Sequence, residues 1–169
     1  NQGNYALAVL EFQDALDIDP NASTIHVSIA DAYRRLGRSK HAKNHLKIAI
    51  DLNPEEISGR ELLGQLYLID RQYELAMNQF LSLVRIDKNN DNYLTILGDL
   101  NKIQRQWNKS IEFYLKAFEI NPQNFKALEN AMQVSLGAEL FDQAEIICKK
   151  LVKYNSRNTS YWMTYKQIT

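Results

Sequence analysis

Residues 61–80 read Glu-Leu-Leu-Gly-Gln-Leu-Tyr-Leu-Ile-Asp-Arg-Gln-Tyr-Glu-Leu-Ala-Met-Asn-Gln-Phe. Leu63, Gly64 and Tyr67 lie three and four residues apart, on one face of a helix. After the polar stretch Asp70–Gln72, Ala76 and Phe80 repeat that spacing on a second helix. The arrangement recurs along the whole chain. Small residues stand at Ala8, Ala42, Ala76, Ser110 and Ala144, each 34 residues after the last. Four residues beyond each comes Phe12, Leu46, Phe80, Tyr114 or Cys148, and three further on Ala15, Ala49, Leu83, Ala117 or Leu151. Five beyond those lie Pro20, Pro54, Lys88, Pro122 and Ser156. A second series precedes them: Ala30 with Tyr33, Gly64 with Tyr67, Gly98 with Asn101. A fixed period of this length marks stacked supersecondary units that bury their apolar faces against one another.

The residue types have physical reasons. A small residue lets two helices approach closely, and the large group four residues on lies on the same face and fills the groove between neighbouring hairpins. Proline disfavours helix at the residue before it and so ends the second helix of each pair. Where proline is absent, Asn89–Asn90 and Asn155 are the residues expected to end the helix. The pattern resembles the tetratricopeptide repeat, W-x2-L-G-x2-Y, then A-x3-F, then P, with the same period. Leu63, Gly64, Tyr67, Ala76 and Phe80 are the best single match, and Trp162 stands in the Trp position of a last repeat. Departures are Asn101 and Ser135 in place of Tyr, and Lys88 and Ser156 in place of Pro.

The expected fold class is all-α: antiparallel helix hairpins with a 34-residue period. The resemblance implies that they coil into a right-handed α-solenoid with a concave groove. Residues 1–22 are expected to carry the second helix of a truncated repeat, over 4–18. Full repeats are expected at 23–56, 57–90, 91–124 and 125–158, and residues 159–169 begin another, so that 1–169 is one array. Asn1 is not an initiator Met and the chain starts in mid-pattern. The array is therefore expected to continue beyond both ends, or its ends to pair, because Tyr161, Trp162 and Tyr165 would expose an apolar face.

Composition narrows function by class. Lys and Arg number 20 and Asp and Glu 20, which removes the basic excess that nucleic-acid or anionic-membrane binding usually leaves. No apolar run approaches the roughly 18–20 residues of a membrane span. Catalysis and cofactors have little support: there is no phosphate loop and no G-x-S-x-G nucleophile motif. His41 and His45 are spaced to share a metal, but Lys40, Lys43 and Lys47 surround them and no acid between 32 and 50 offers a third ligand, so no metal site is assigned and the two are read as a solvated face. Cys148 occupies a large-residue position and reads as a buried core thiol.

Charge is segregated. Residues 1–33 hold five acids and no Lys or Arg, whereas residues 34–47 hold six bases and no acid. One reading is a docking patch for an anionic partner; the favoured one is that adjacent second helices set the acids against the bases.

Implied by the resemblance are ligand-facing positions on each first helix. Here they give Val27, Asp31, Arg34 and Arg35, then Glu61, Gln65 and Leu68, then Thr95, Asp99 and Lys102, then Glu129, Gln133 and Leu136. The polarity alternates with a two-repeat period. Asp31 and Asp99 have a base three residues on, a spacing that allows partial neutralisation, whereas Glu61 and Glu129 neighbour a leucine. The expectation is a non-catalytic scaffold that holds an extended or helical peptide with apolar side chains and Lys or Arg toward Glu61 and Glu129. The bland alternative is a solvated inner face left by duplication of a two-repeat unit. A different functional class remains: the repeat region of a larger glycosyl- or sulfotransferase-type enzyme. End-to-end self-association through the terminal helices is a third expectation. Two subtypes of the family are not matched. The carboxylate clamp of chaperone-binding members would need Lys, Asn and Arg where Val27, Asp31, Leu62, Asn92 and Ile96 stand. The asparagine ladder of the O-linked N-acetylglucosamine transferase would fall on Ser28, Leu62, Ile96 and Asn130.

Overall fold

The computed structural model describes residues 2–168. Among them are ten helices and no strand: α1 (Gln2–Ile18), α2 (Ser23–Arg35), α3 (Ser39–Leu52), α4 (Ile57–Ile69), α5 (Tyr73–Ile86), α6 (Asp91–Ile103), α7 (Trp107–Ile120), α8 (Phe125–Gly137), α9 (Phe141–Tyr154) and α10 (Thr159–Ile168). Contacts divide the chain into two compact units, Asn1–Ile86 and Asp87–Thr169. In the first, α1 packs on α2, α2 on α3 and α4, α3 on α4, and α4 on α5. In the second, the neighbours are α6 with α7, α7 with α8, α8 with α9, and α9 with α10. The expected hairpins are all present. The first helix begins two residues earlier than its pattern suggested, at Gln2 rather than residue 4.

Local signals set the turns. Each complete hairpin bends through one left-handed residue: Gly37 (φ 72°), Arg71 (57°), Arg105 (58°) and Glu139 (59°). The next amide then donates back across the helix end, from Arg38 to the Tyr33 carbonyl at 2.8 Å, Gln72 to Tyr67 at 2.8 Å, Gln106 to Asn101 at 2.9 Å and Leu140 to Ser135 at 2.8 Å. This closure satisfies helix-terminal carbonyls that would otherwise be orphaned. The second helices α3, α7 and α9 are capped at Asn53, Asn121 and Asn155, the first two in extended conformation. Where Lys88 replaces proline, Asn90 caps the next helix, its side chain accepting from the Asn92 amide at 3.2 Å.

The periodic residues form the core. Ala42, Ala76, Ser110 and Ala144 are fully buried. Phe80 and Tyr114 fill the space beside Gly64 and Gly98. A Cβ at Gly98 would come within 2.5 Å of the Tyr114 ring, and one at Gly64 within 2.9 Å of Phe80. In repeat 125–158 the sizes are exchanged: Met132 holds the glycine position and Cys148 the aromatic one, both buried. Departures toward polar residues are satisfied locally. Ser110 Oγ donates to the Gly98 carbonyl at 2.8 Å. Asn101 and Ser135 donate to carbonyls one turn back, Leu97 at 2.7 Å and Ala131 at 2.9 Å. Such back-bonding lets a buried polar side chain stand where tyrosine is usual without leaving an orphan.

Three side-chain expectations need correction. Tyr161 is not exposed: it is buried, its hydroxyl donates to Glu129, and its carbonyl accepts from Cys148 Sγ at 3.2 Å. Trp162 does remain exposed, its indole N–H donating to the Ser156 carbonyl at 3.0 Å. His41 and His45 do not form one solvated face. His45 is half-buried, with its Nδ1 3.0 Å from Nδ1 of buried His26, and Tyr33 stacks on both His41 and His45. Nor do the acids of α1 pair with the bases of α3. Asp31 is taken by Arg34 and Arg35 of its own helix, and Lys43 reaches Asp70 and Gln72 beyond α4. Among the described residues no ion pair joins α1 to α3.

Candidate functional site

In the first unit, α2 carries Val27, Asp31, Arg34 and Arg35, and α4, which packs directly against it, carries Glu61, Gln65 and Leu68. Val27 is partly consumed by that packing, its Cγ2 lying 3.3 Å from the position a Gly59 Cβ would take. Asp31 is saturated. Arg34 donates to Oδ1 at 2.6 Å and Arg35 to Oδ2 at 2.7 Å, while Arg35 also donates to the Tyr5 hydroxyl at 3.2 Å. Burial pushes the Asp31 carboxyl up, but the hydrogen bonds and charges of Arg35 and Arg34 outweigh it and hold the group below the usual carboxylate range. Glu61 and Leu68 are half-buried and Gln65 is exposed.

In the second unit, α6 carries Thr95, Asp99 and Lys102, and α8 carries Glu129, Gln133 and Leu136. Lys102 and Gln133 come together in one small open pocket of about 170 Å³, completed by Trp107, Val134 and Gly137. Trp107 opens α7 and is 37% exposed, so its ring is available at the rim. Leu136 faces a separate open cavity of about 440 Å³ with Phe141, Thr164, Gln167 and Ile168. Thr95 is not simply a free groove residue. Asn124 donates to its Oγ1 at 3.2 Å and to Asp91 at 2.6 Å, tying the α7–α8 connection to α6.

The carboxylates here are held by tyrosines from other helices. Tyr114 of α7 donates to Asp99 Oδ1 at 2.5 Å, and Lys102 stands 3.6 Å from the same oxygen. Burial, then the Asp99 carboxylate, push the Tyr114 phenol well above its ordinary value. Tyr161 of α10 donates to Glu129 Oε1, and burial followed by Glu129 raises that phenol to about 12. The base three residues from each aspartate was legible in the sequence. Neither tyrosine was foreseen, although the Tyr114 hydroxyl, in a position that Phe80 fills one repeat earlier, is itself a sign that a buried donor needs an acceptor.

Metal-ligating clusters and exposed thiols are lacking among the described residues. No group of three or more His, Cys, Asp or Glu side chains there could hold a metal ion. Cys148 is buried, and burial pushes its thiol up, away from the reactive thiolate. Among the described residues no helix is long and apolar enough to cross a membrane.

Comparison with known proteins agrees with this geometry. The tetratricopeptide-repeat family model matches residues 23–56 and 92–124. The BBSome complex member BBS4 of Mus musculus is 28% identical over 127 residues, 75% of this chain and 24% of BBS4. The protein O-mannosyl-transferase F38B6.6 of Caenorhabditis elegans is 33% identical over 76 residues, 45% of this chain and 11% of that protein. The chain thus spans about a quarter or less of the length of these curated relatives. The crystal structure of MamA superposes with a TM-score of 0.76 at 20% identity, covering 94% of this chain and 93% of that one. At that identity the likeness speaks for the fold of stacked helix hairpins.

Proposed function

The chain is a tetratricopeptide-repeat protein, and from that premise we propose that it is a non-catalytic scaffold whose first helices hold a peptide segment of a partner protein. The observation that carries this reading is the pocket where Lys102 of α6 and Gln133 of α8 meet the indole of Trp107. A pocket of about 170 Å³ holds one side chain rather than a small-molecule ligand. About one turn before Lys102 and Gln133 on the same helices are Asp99 and Glu129, each with one oxygen held by a tyrosine hydroxyl and therefore oriented before any ligand arrives. Oriented acceptors beside an aromatic anchor suit a peptide that carries an apolar side chain and a nearby Lys or Arg. In the first unit, Gln65, Leu68 and Glu61 offer a similar mixture on α4, whereas Asp31 is already neutralised. That one relative, BBS4, is a BBSome complex member supports an interaction role without naming a partner.

The test is direct. Short synthetic peptides of matched apolar content, some basic and some acidic, are titrated into a Trp162→Phe variant, so that fluorescence reports Trp107. Basic peptides are expected to change the Trp107 signal, and Glu61→Lys with Glu129→Lys to weaken them at low salt. Equal binding of acidic peptides, or binding unaltered in the double variant, would sink the electrostatic part. A silent Trp107 would remove the pocket from the reading. End-to-end self-association is a second reading, favoured by the exposure of Trp162 and Met163 on α10.

A further inference from the structure

The charge segregation of the first three helices is not resolved within the molecule. Asp31 and Lys43 have partners, but Glu11, Asp14 and Asp17 of α1 stay exposed, as do Arg38, Lys40 and Lys47 at and along α3. In the 34-residue register Glu11, Asp14 and Asp17 fall on His45, Ile48 and the exposed Asp51 of α3, and Lys40 and Lys47 fall on Ala6 and Gln13 of α1. Leu7 and Leu10 of α1 stand 34 residues before His41 and Asn44 of α3, and all four are exposed. The same two positions are exposed in α5, α7 and α9, at Leu75 and Asn78, Lys109 and Glu112, Gln143 and Ile146. This face is therefore turned to solvent in every second helix, and its exposure on α1 owes nothing to the place of α1 in the chain. On α1 it is apolar and acidic, with Leu7 and Leu10 57% and 58% exposed. On α3 it carries His41, Asn44, Ile48 and Asp51, flanked by Lys40 and Lys47, with Ile48 42% exposed.

Helices α1 and α3 both pack on α2 through short connections, so both run antiparallel to it and parallel to one another. A two-fold axis along the helices, above this face, sets the acidic helix of one copy over the basic helix of the other, and does so twice. We propose that this face is an interface between two copies of the chain, with α1 of each lying on α3 of its partner. The proposal rests on reading the chain as an interaction scaffold, but uses a face other than the peptide site. Isologous pairing of this kind closes on itself and does not propagate. Two helices about 20–25 Å long, side by side, offer roughly 400–500 Å² of flat surface per copy, at the weak end of specific interfaces. The dimer is accordingly salt-sensitive and forms at micromolar or higher concentration.

Sedimentation velocity of the whole chain over a concentration series tests it, at about 50 mM and about 500 mM salt, where the Debye length falls from roughly 14 to 4 Å. A monomer–dimer equilibrium is expected, weakened at least about tenfold by the added salt. Two charge-reversed variants follow, Lys40→Glu with Lys47→Glu and Glu11→Lys with Asp14→Lys, all at exposed positions. Each alone should lose dimerisation, and an equimolar mixture should regain it as a heterodimer, a recovery that misfolding cannot produce. The proposal is overturned by a parent chain that stays monomeric, by a mixture that fails to pair, or by variants that associate as the parent does. The last result would place association on apolar surfaces such as α10. Binding of an acidic peptide at Lys40 and Lys47 of a monomeric chain would overturn it too. A monomeric chain that still binds basic peptides at Trp107 would leave the scaffold reading intact.

Discussion

At the scale of single residues, the informative side chains are hydroxyls and imidazoles placed where the repeat elsewhere uses hydrocarbon. Tyr114 and Phe80 occupy equivalent positions, so Tyr114→Phe keeps the packing and removes only the donor to Asp99. It is expected to cost about 1 kcal/mol in urea unfolding. Tyr161 offers a pH signature. Its phenol is raised to about 12, from about 10 when unfolded, so the folded chain favours the neutral form. That contribution is complete below about pH 10 and is lost as pH rises from there through about 12. Tyr161→Phe should flatten that part of an alkaline unfolding profile. His45 has the opposite dependence. Burial first, then His26 and His41, lower its pKa, so its neutral form belongs to the fold. The associated stability is whole above about pH 6.5 and declines as pH falls below it. Leu94 and Phe113 occupy the positions of His26 and His45 two repeats later. His26→Leu with His45→Phe is therefore expected to remove the acid sensitivity, and a thermal melt series between pH 7 and 5 checks it.

At the scale of the helical element, the turns and the closest helix approaches are the exposed joints of the design. Arg71, Arg105 and Glu139 adopt the left-handed conformation that Gly37 reaches without a Cβ penalty. Each of Arg71→Gly, Arg105→Gly and Glu139→Gly should stabilise by about 0.5–1 kcal/mol, and Gly37→Ala should cost about 1 kcal/mol. Gly98→Ala places a methyl 2.5 Å from the Tyr114 ring and is expected to cost about 1–3 kcal/mol. Adding Tyr114→Leu should recover part of the loss, since Ala30 and Leu46 fill the equivalent positions in repeat 23–56. Chemical denaturation of the single and double variants measures that coupling. The period and the residue sizes made these hairpins legible in the sequence. Left-handed Arg71, Arg105 and Glu139 were not legible, because only the glycine at position 37 advertises that conformation.

At the scale of the whole molecule, each unit is a series of neighbour contacts, as expected of repeat architectures whose stability adds locally. Helix α1 packs on α2 and α10 on α9, whereas α3, α7, α8 and α9 each have two neighbours and α2 and α4 three. Amide hydrogen exchange should therefore be fastest in α1 and α10 and slowest in α2 and α4. Uniform protection along the chain would contradict a stability built from neighbour contacts. Net charge is zero, yet acids fill the first 33 residues and bases the next 14, so surface electrostatics depend on which face meets a partner.

The helix pairs, their 34-residue register and the interlocking of small with large side chains are legible in the residues alone, because they follow from spacing along one helix or between two joined by a short turn. So are the bases beside Asp31 and Asp99, three residues away on the same helix. Which carboxylates receive a second partner depends on how the helices meet. Tyr114 reaches Asp99 across 15 residues and Tyr161 reaches Glu129 across 32, and neither distance is set by the period of a single helix. The tertiary structure likewise put His26 against His45, left α1 and α3 with unpaired charges, and brought Lys102 and Gln133 to one pocket under Trp107. A side chain's rotamer and reach settle such contacts once the backbones have met, and no pattern of residue types fixes them beforehand.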